Sequence, residues 1–319
     1  MRNGNRLIGV LAGFLLASSA AAQSWPAKPI TQLIPFPPGT GADIIGRVLG
    51  ARMSELLGQP VISDTRAGAS GNIAMDATSK AAPDGYTLVM ASTSYSINLY
   101  TLKGTPPLSA FSPIALVGKL PYTLMVSPQV PARDLKELVA VLKAKKGQYN
   151  GATGGATGTS FFLTESLKKA AGVDLEVVPY KGTAEAVTDL LEGRVQILFA
   201  AMAVAIPQLK AGKVQLLGTT GAKRNALTPN VPTFIESGFP MLDVPSWYAV
   251  MGPAGIPRAI VSRLNQSINS ALGSRDSLDK LSAIGAESSP GTPEDAEAFL
   301  RQDSAAWAKM ARDAGVTVQ

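Results

Sequence analysis

The chain contains no cysteine and no histidine. The first absence excludes disulfides, thiol nucleophiles and thiolate metal sites. The second removes the commonest general base and the commonest metal ligand. Aromatic residues are sparse, at 6%, which weighs against base stacking on single-stranded nucleic acid. Charged residues make up only 16%, with 29 basic against 23 acidic. The lysines are scattered, and only Lys143, Lys145 and Lys146 cluster, at an expected helix end where they offset the helix dipole. No nucleic-acid partner is expected. Beyond the N-terminus no apolar run reaches the roughly 20 residues a spanning helix needs, so direct membrane insertion is not expected either. Nothing in the composition asks for a cofactor or a metal.

What is present is 319 residues, 46% of them hydrophobic, with 31 glycines and 23 prolines. That supports one large or two moderate domains rich in turns. Residues 1–22 read as an export leader: Arg2 and Arg6 form its basic end, Leu7 to Leu16 its apolar centre, and Ala20 to Ala22 a small-residue cleavage site. Cleavage after Ala22 predicts a mature periplasmic protein starting near Gln23. An exported chain without disulfides relies on its core alone.

From Ile30 onward, short apolar runs alternate with amphipathic ones. Strands are expected at Ile30–Pro35, Pro60–Asp64 and Tyr86–Ala91. Helices are expected at Asp43–Leu57 and Gly71–Ala81. In the first, Ile45, Val48, Leu49, Met53, Leu56 and Leu57 share a face. This βαβαβ pattern is the signature of a parallel, doubly wound sheet. It begins again after Tyr122–Val126, with a helix at Leu135–Lys145, a strand at Asn150–Thr153 and a helix at Ser160–Ala171. Then come Leu175–Pro179, a helix from Thr183 to Leu191 capped by Thr183, and strand, helix, strand at Val195–Phe199, Ile206–Lys210 and Val214–Thr219. After the proline-rich Pro229–Pro245 a strand, Trp247–Met251, leads to three C-terminal helices. Tyr122–Val126 and Trp247–Met251 are the expected crossings between two lobes. Domain 1 is then 23–122 with 247–319, and domain 2 is 123–246. Two α/β lobes joined by a hinge leave a ligand cleft between them.

Each lobe carries one glycine-rich strand-to-helix turn, PFPPGTGAD and GATGGATGTSFF, at the carboxyl ends of strands, where open α/β sheets bind ligands. Gly39 and Gly41 permit close backbone approach, Pro37 and Pro38 stiffen the loop, and the helix amides that follow suit an anion. No lysine follows the glycines as in a phosphate loop, and the spacing is not that of a dinucleotide fingerprint. Thr40 with Asp43 also fits a capping box that serves the helix alone. Ser92, Thr93 and Tyr95 follow the third strand and fall at the cleft edge. Lys181, in a strand-to-helix turn, is either a cleft charge or a surface lysine. Trp247 is expected to pack at the hinge.

The stretches WPAKPITQLIPFPPGTGAD, TRAGASGNIAMDATSKAAPDGYTLVMAS, VVPYKGTAEAVTDLLEGRV and WYAVMGPAGIP resemble the extracytoplasmic receptors of tripartite tricarboxylate transporters, the Bordetella uptake family. The resemblance runs from about Ser24 to the C-terminus. It implies an α/β class II periplasmic-binding-protein fold, a small carboxylate ligand and two integral membrane transporter subunits as partners. By position, it places a ligand carboxylate against Phe36, Pro38, Gly39, Thr40, Gly41, Ala42 and Asp43 on one side. On the other side it places Thr153, Thr157, Gly158, Thr159, Ser160 and Phe161. The sequence departs from relatives that carry glycine at Thr40, histidine near Tyr95 and Phe161, and an aspartate after Phe199, where Ala200 and Ala201 stand. The missing acid removes a partner for a ligand ammonium. An amine-free mono-, di- or tricarboxylate is therefore expected, aromatic acids such as terephthalate included, bound by a monomer without catalysis. Two alternatives stand beside this: an exported hydrolase or transferase using a Ser160/Lys181 pair, since no histidine can activate a serine, and a binding protein serving a sensor.

Overall fold

The computed structural model describes residues 25–244 and 246–314, with side chains described up to residue 309. The leader and its cleavage site lie outside the described residues. The first run of elements is β1 (Ile30–Ile34), α1 (Gly41–Leu57), β2 (Val61–Thr65), α2 (Asn72–Ser79), β3 (Thr87–Ser92), α3 (Thr93–Thr101) and β4 (Phe111–Lys119). The second is β5 (Tyr122–Val126), α4 (Leu135–Ala144), β6 (Asn150–Thr153), α5 (Thr159–Ala171), β7 (Glu176–Pro179), α6 (Thr183–Leu191), β8 (Ile197–Ala201), α7 (Met202–Lys210) and β9 (Gln215–Thr219). The chain closes with β10 (Trp247–Pro253), α8 (Arg258–Leu272), α9 (Arg275–Ala283), β11 (Glu287–Ser288) and α10 (Pro293–Ala314).

Two sheets result. One runs β11-β4-β10-β3-β1-β2 and the other β7-β6-β8-β5-β9. Setting aside the two-residue edge strand β11, they have the same order. In each, three parallel strands are followed by one antiparallel strand and then an outer strand. The antiparallel strand is β10 in the first sheet and β5 in the second. The expected parallel pairing holds for β1, β2 and β3 and for β6, β7 and β8, and the two crossing strands add an antiparallel pairing to each sheet. The reason is directional. The parallel strands end at the cleft, whereas β5 and β10 begin there, just after the chain crosses from the other lobe, and so must run the opposite way. These two lobes form the class II periplasmic-binding-protein fold.

The cores follow the amphipathic patterns. On α1, Ile45, Leu49, Met53 and Leu57 are buried, but Leu56, expected on the same face, is 41% exposed. All seven residues of β10 are buried, because the strand sits inside its sheet with helices on both sides. The lobes also touch directly. Trp307 of α10 meets Phe162 of α5 edge-on, with ring centroids 4.7 Å apart.

Candidate functional site

The first glycine-rich turn is built by three local contacts. Gly39 takes a left-handed φ of +82°, which glycine alone adopts freely. Thr40 is the N-cap of α1, but its hydroxyl donates back to the Pro37 carbonyl (2.9 Å) rather than capping the helix. Asp43 accepts from the Gly39 amide (3.0 Å) and from Arg47 Nε (2.7 Å). Half of the expected capping box is therefore present, reaching Gly39 instead of Thr40, and the threonine half is missing. The amides of Gly41 and Ala42 have no intrahelical acceptor by position, and no side chain among the described residues supplies one.

The same arrangement recurs around the cleft. Helices α3, α5, α6 and α7 begin at Ser92, Gly158, Gly182 and Ala201, and none of these caps its helix through a side chain. The expected cap Thr183 is instead the first helical residue of α6, with Gly182 as the N-cap. Away from the cavity, Asp134 and Ser274 cap α4 and α9, while α2 and α8, which begin at Gly71 and Pro257, also lack a side-chain cap. Five helix N-termini converge on one cavity of about 50 Å³: Thr40, Gly41 and Ala42 of α1, Ser92 and Ser94 of α3, Thr159 and Ser160 of α5, Thr183 of α6, and Ala201 and Val204 of α7. Each end carries roughly half a positive charge. Among the described residues no charged side chain lines the cavity.

Two tyrosines complete it. Tyr122 opens β5 and Tyr248 lies second in β10, so each lobe's crossing strand delivers one phenol to the cavity. Tyr122 bonds the Thr159 side chain at the start of α5. A methyl built on Gly41 would stand 2.5 Å from the Tyr248 hydroxyl, so the absent side chain of Gly41 is what admits it. Burial raises the pKa of both phenols, and they remain protonated donors.

The lobes meet over this cavity. Thr157 of the second turn donates its hydroxyl to Ser70 Oγ (2.7 Å), Ser70 donates to the Thr157 carbonyl (3.1 Å), and Ser94 and Thr159 hydroxyls lie 3.4 Å apart. Ser70 reaches Thr157 from a turn in which Ala69 and Ser70 hold φ of +46° and +50°, a conformation costing an L-residue about 1–2 kcal/mol. The two lobes are thus in contact across the cleft.

Of the residues singled out in the sequence, Phe36, Thr40, Gly41, Ala42, Ser92, Thr157, Thr159 and Ser160 line the cavity. The others lie off its wall for identifiable reasons. Asp43 is held behind the loop by Gly39 and Arg47. Thr93 turns inward to accept the Trp247 amide (2.9 Å), and Tyr95 packs edge-on against Phe111 with its hydroxyl on the Pro106 carbonyl. Thr153 donates to the Gly155 carbonyl and shapes the second turn (2.8 Å). Gly39 acts through its backbone φ, and Gly158 through its φ and the close approach of Ser94. Pro38 is exposed, Phe161 half-buried, and Ala200 fully buried within β8, leaving its neighbour Ala201 at the wall. Lys181 lines a separate outer chamber. The Ser160 hydroxyl donates to the Phe199 carbonyl (2.8 Å), so the proposed Ser160/Lys181 nucleophile pair is not assembled. Ser70, Ser94, Tyr122, Gly154, Thr183 and Tyr248 were not read as site residues. For the tyrosines the available signal was their place at the start of the crossing strands.

Two lobes meeting over a pocket rimmed by helix N-termini have the architecture of a solute-binding protein. Comparison with known proteins names the family. The family described as "Tripartite tricarboxylate transporter family receptor" matches residues 45–316. The chain belongs to this family. It is 34% identical to Protein BugT of Bordetella pertussis over 325 residues, covering 99% of this chain and all of that one. Among solved structures it is similar to Rpa4515 of R. palustris with adipate, at 32% identity and a TM-score of 0.88, covering 92% of this chain and all of that one. It is also similar to MatC of Rhodopseudomonas palustris with bound malate, at 28% identity and a TM-score of 0.84, covering 89% and 98%. Among the described residues no helix is long and apolar enough to cross a membrane.

Proposed function

We propose that this chain is the periplasmic receptor of a tripartite transporter, and that it captures a small amine-free carboxylic acid by lobe closure and presents it to two integral membrane subunits. The lobes are those expected with the boundary moved by one residue, since Tyr122 pairs with Ala201 in the second sheet: 23–121 with 247–319, and 122–246, turning about the two crossings that precede β5 and β10. The leader is removed near Ala22 and the receptor works as a monomer without a cofactor. A single observation carries the ligand class: five helix N-termini, none capped by its own N-cap side chain, and two neutral phenols face a cavity with no charged wall residue among the described residues. A partly buried helix end contributes up to about 2 kcal/mol to an anion, so several together hold one carboxylate firmly. An ammonium in the same cavity meets only positive helix ends and no carboxylate. The neighbours holding adipate and malate support the same class. The anion joins amides of both lobes, so it binds the closed form more tightly and shifts the population toward it.

Calorimetric titration of the purified receptor with mono-, di- and tricarboxylates, terephthalate, aspartate and glutamate tests this. One or more amine-free acids bind with compaction visible in solution scattering, and the amino acids bind more weakly. Tighter binding of aspartate or glutamate than of every amine-free acid refutes the reading.

A further inference from the structure

The inner cavity is small, and it is not the only space between the lobes. Beside it lies a chamber of about 620 Å³ that shares Phe36, Ser70, Gly154 and Thr157 with the inner cavity as common walls. Its volume is that of a typical small-molecule site, whereas the inner cavity of about 50 Å³ holds little more than a carboxylate and its nearest carbons. The partition between them is the Ser70–Thr157 pair, two hydroxyls joined across the lobes. Hydroxyls are movable partners, so a ligand chain parts them at the cost of the two hydrogen bonds between Ser70 and Thr157.

The chamber's other walls differ from those of the inner cavity. Leu102, Pro37 and the alanines 67, 69, 156 and 184 make much of its lining apolar. One cation faces it, Lys181, which is exposed and makes no ion pair among the described residues. The neighbouring groups are already engaged. Tyr180 donates to Asp189 (2.5 Å), and partial burial together with that bond pushes the phenol up to about 12. Asp189 is paired with Arg194. Glu185 accepts from the backbone amide of Lys181 (3.3 Å), at the start of α6.

From these walls we infer that the chamber is a second compartment of the ligand site, taking the far end of an elongated α,ω-dicarboxylate whose second carboxylate is met by the Lys181 ammonium. This rests on the reading that the inner cavity holds a carboxylate. The apolar walls accept the methylene chain, Lys181 supplies the only countercharge, and Glu185 opposes it. Chain length and the second charge are then read outside the helix-lined pocket.

The test is titration calorimetry with a ladder of straight-chain diacids from butanedioate to decanedioate, each against the monoacid of the same length. Three proteins are compared: wild type, Lys181→Met and Glu185→Gln. In wild type the longer diacids bind more tightly than their monoacids. Lys181→Met lowers the affinity of those diacids by about 1.5- to 5-fold, the range of an exposed ion pair, and leaves the monoacids unchanged. Glu185→Gln moves diacid affinity the other way. Both positions are exposed, and equal melting temperatures of the three unliganded proteins establish that all are folded. Equal effects on diacids and monoacids, or none on either, overturn the inference while leaving the carboxylate reading intact. Failure of wild type to bind any acid in the ladder or any carboxylate of the wider panel removes the reading beneath it.

Discussion

Replacing Tyr248 by phenylalanine separates what the site does for the ligand from what it does for the fold. The Tyr248 ring is 4% exposed and packed in the main core cluster, and phenylalanine fills the same volume. The hydroxyl makes no hydrogen bond within the protein among the described residues, and lies against Gly41 on the cavity wall. Its removal therefore costs the unliganded protein little; truncations that leave no partner behind are close to neutral. In the complex the phenol donates to a charged acceptor, worth about 1.5–3 kcal/mol. Converted through the tenfold change per 1.4 kcal/mol, that is roughly a 10- to 100-fold weaker Kd. Calorimetry on the best ligand from the carboxylate panel, with thermal melts of both proteins without ligand, measures the two effects separately. The expected result is an unchanged or slightly higher Tm together with the affinity loss. An unchanged Kd refutes the assignment of this hydroxyl to the ligand. A large drop in Tm shows that it serves the fold instead. Because burial holds the phenol well above its ordinary pKa of 10, wild-type affinity stays level as the pH rises from 7 toward 10.

Two further outcomes follow from particular geometries. Gly158 has a φ of +88°, and a methyl there would come within 3.1 Å of Ser94 Oγ across the cleft; Gly158→Ala lowers stability by about 1–2 kcal/mol for the left-handed backbone and also weakens ligand binding, read by melting and calorimetry. Asp303 is buried with its carboxylate on Trp247 Nε1 (2.8 Å), and burial raises its pKa above the ordinary 3.8. Its contribution to stability is thus fully present below that value and is lost as the pH rises through the folded pKa. Asn at 303 keeps the acceptor without the charge, so the Tm of Asp303→Asn relative to wild type climbs with pH across the acid range; a constant difference contradicts this.

The alternation of strands and helices, the two glycine-rich turns and both crossing strands were legible because each rests on local periodicity or on glycine and proline placement. Helix α3 was not, for a physical reason. Residues 93–98 are buried on every side, so TSYSINLYT shows no apolar face from which a helix could be read. Strand β4 was hidden by Pro113, which argues against an inner strand. It is accommodated where the pairing with β10 slips, Val250 facing Ala115 and Met251 facing Pro113. The site divided along the same line. Thr40 to Ala42 and Thr157 to Ser160 announce themselves as loop-to-helix junctions. Ser70 is one serine in a loop, brought to Thr157 only by the meeting of two lobes 87 residues apart in sequence. Tyr122 and Tyr248 read as strand core, since sequence gives no sign of where a phenolic oxygen ends.

The absence of a charged residue from the inner wall bears on release as well as capture. An arginine in one lobe would attract a carboxylate in the open and closed forms alike, and the ligand would remain held when the lobes part. Amide dipoles and hydroxyls are short-ranged and gain most of their strength when water is excluded. Here they are divided between lobes: α1, α3 and Tyr248 on one side, α5, α6, α7 and Tyr122 on the other. Opening removes half of the donors and returns the rest to water in the same movement. On the function proposed above, affinity is tied to closure, and a membrane partner that bound the open form more tightly than the closed form would release the ligand without having to compete with a fixed charge.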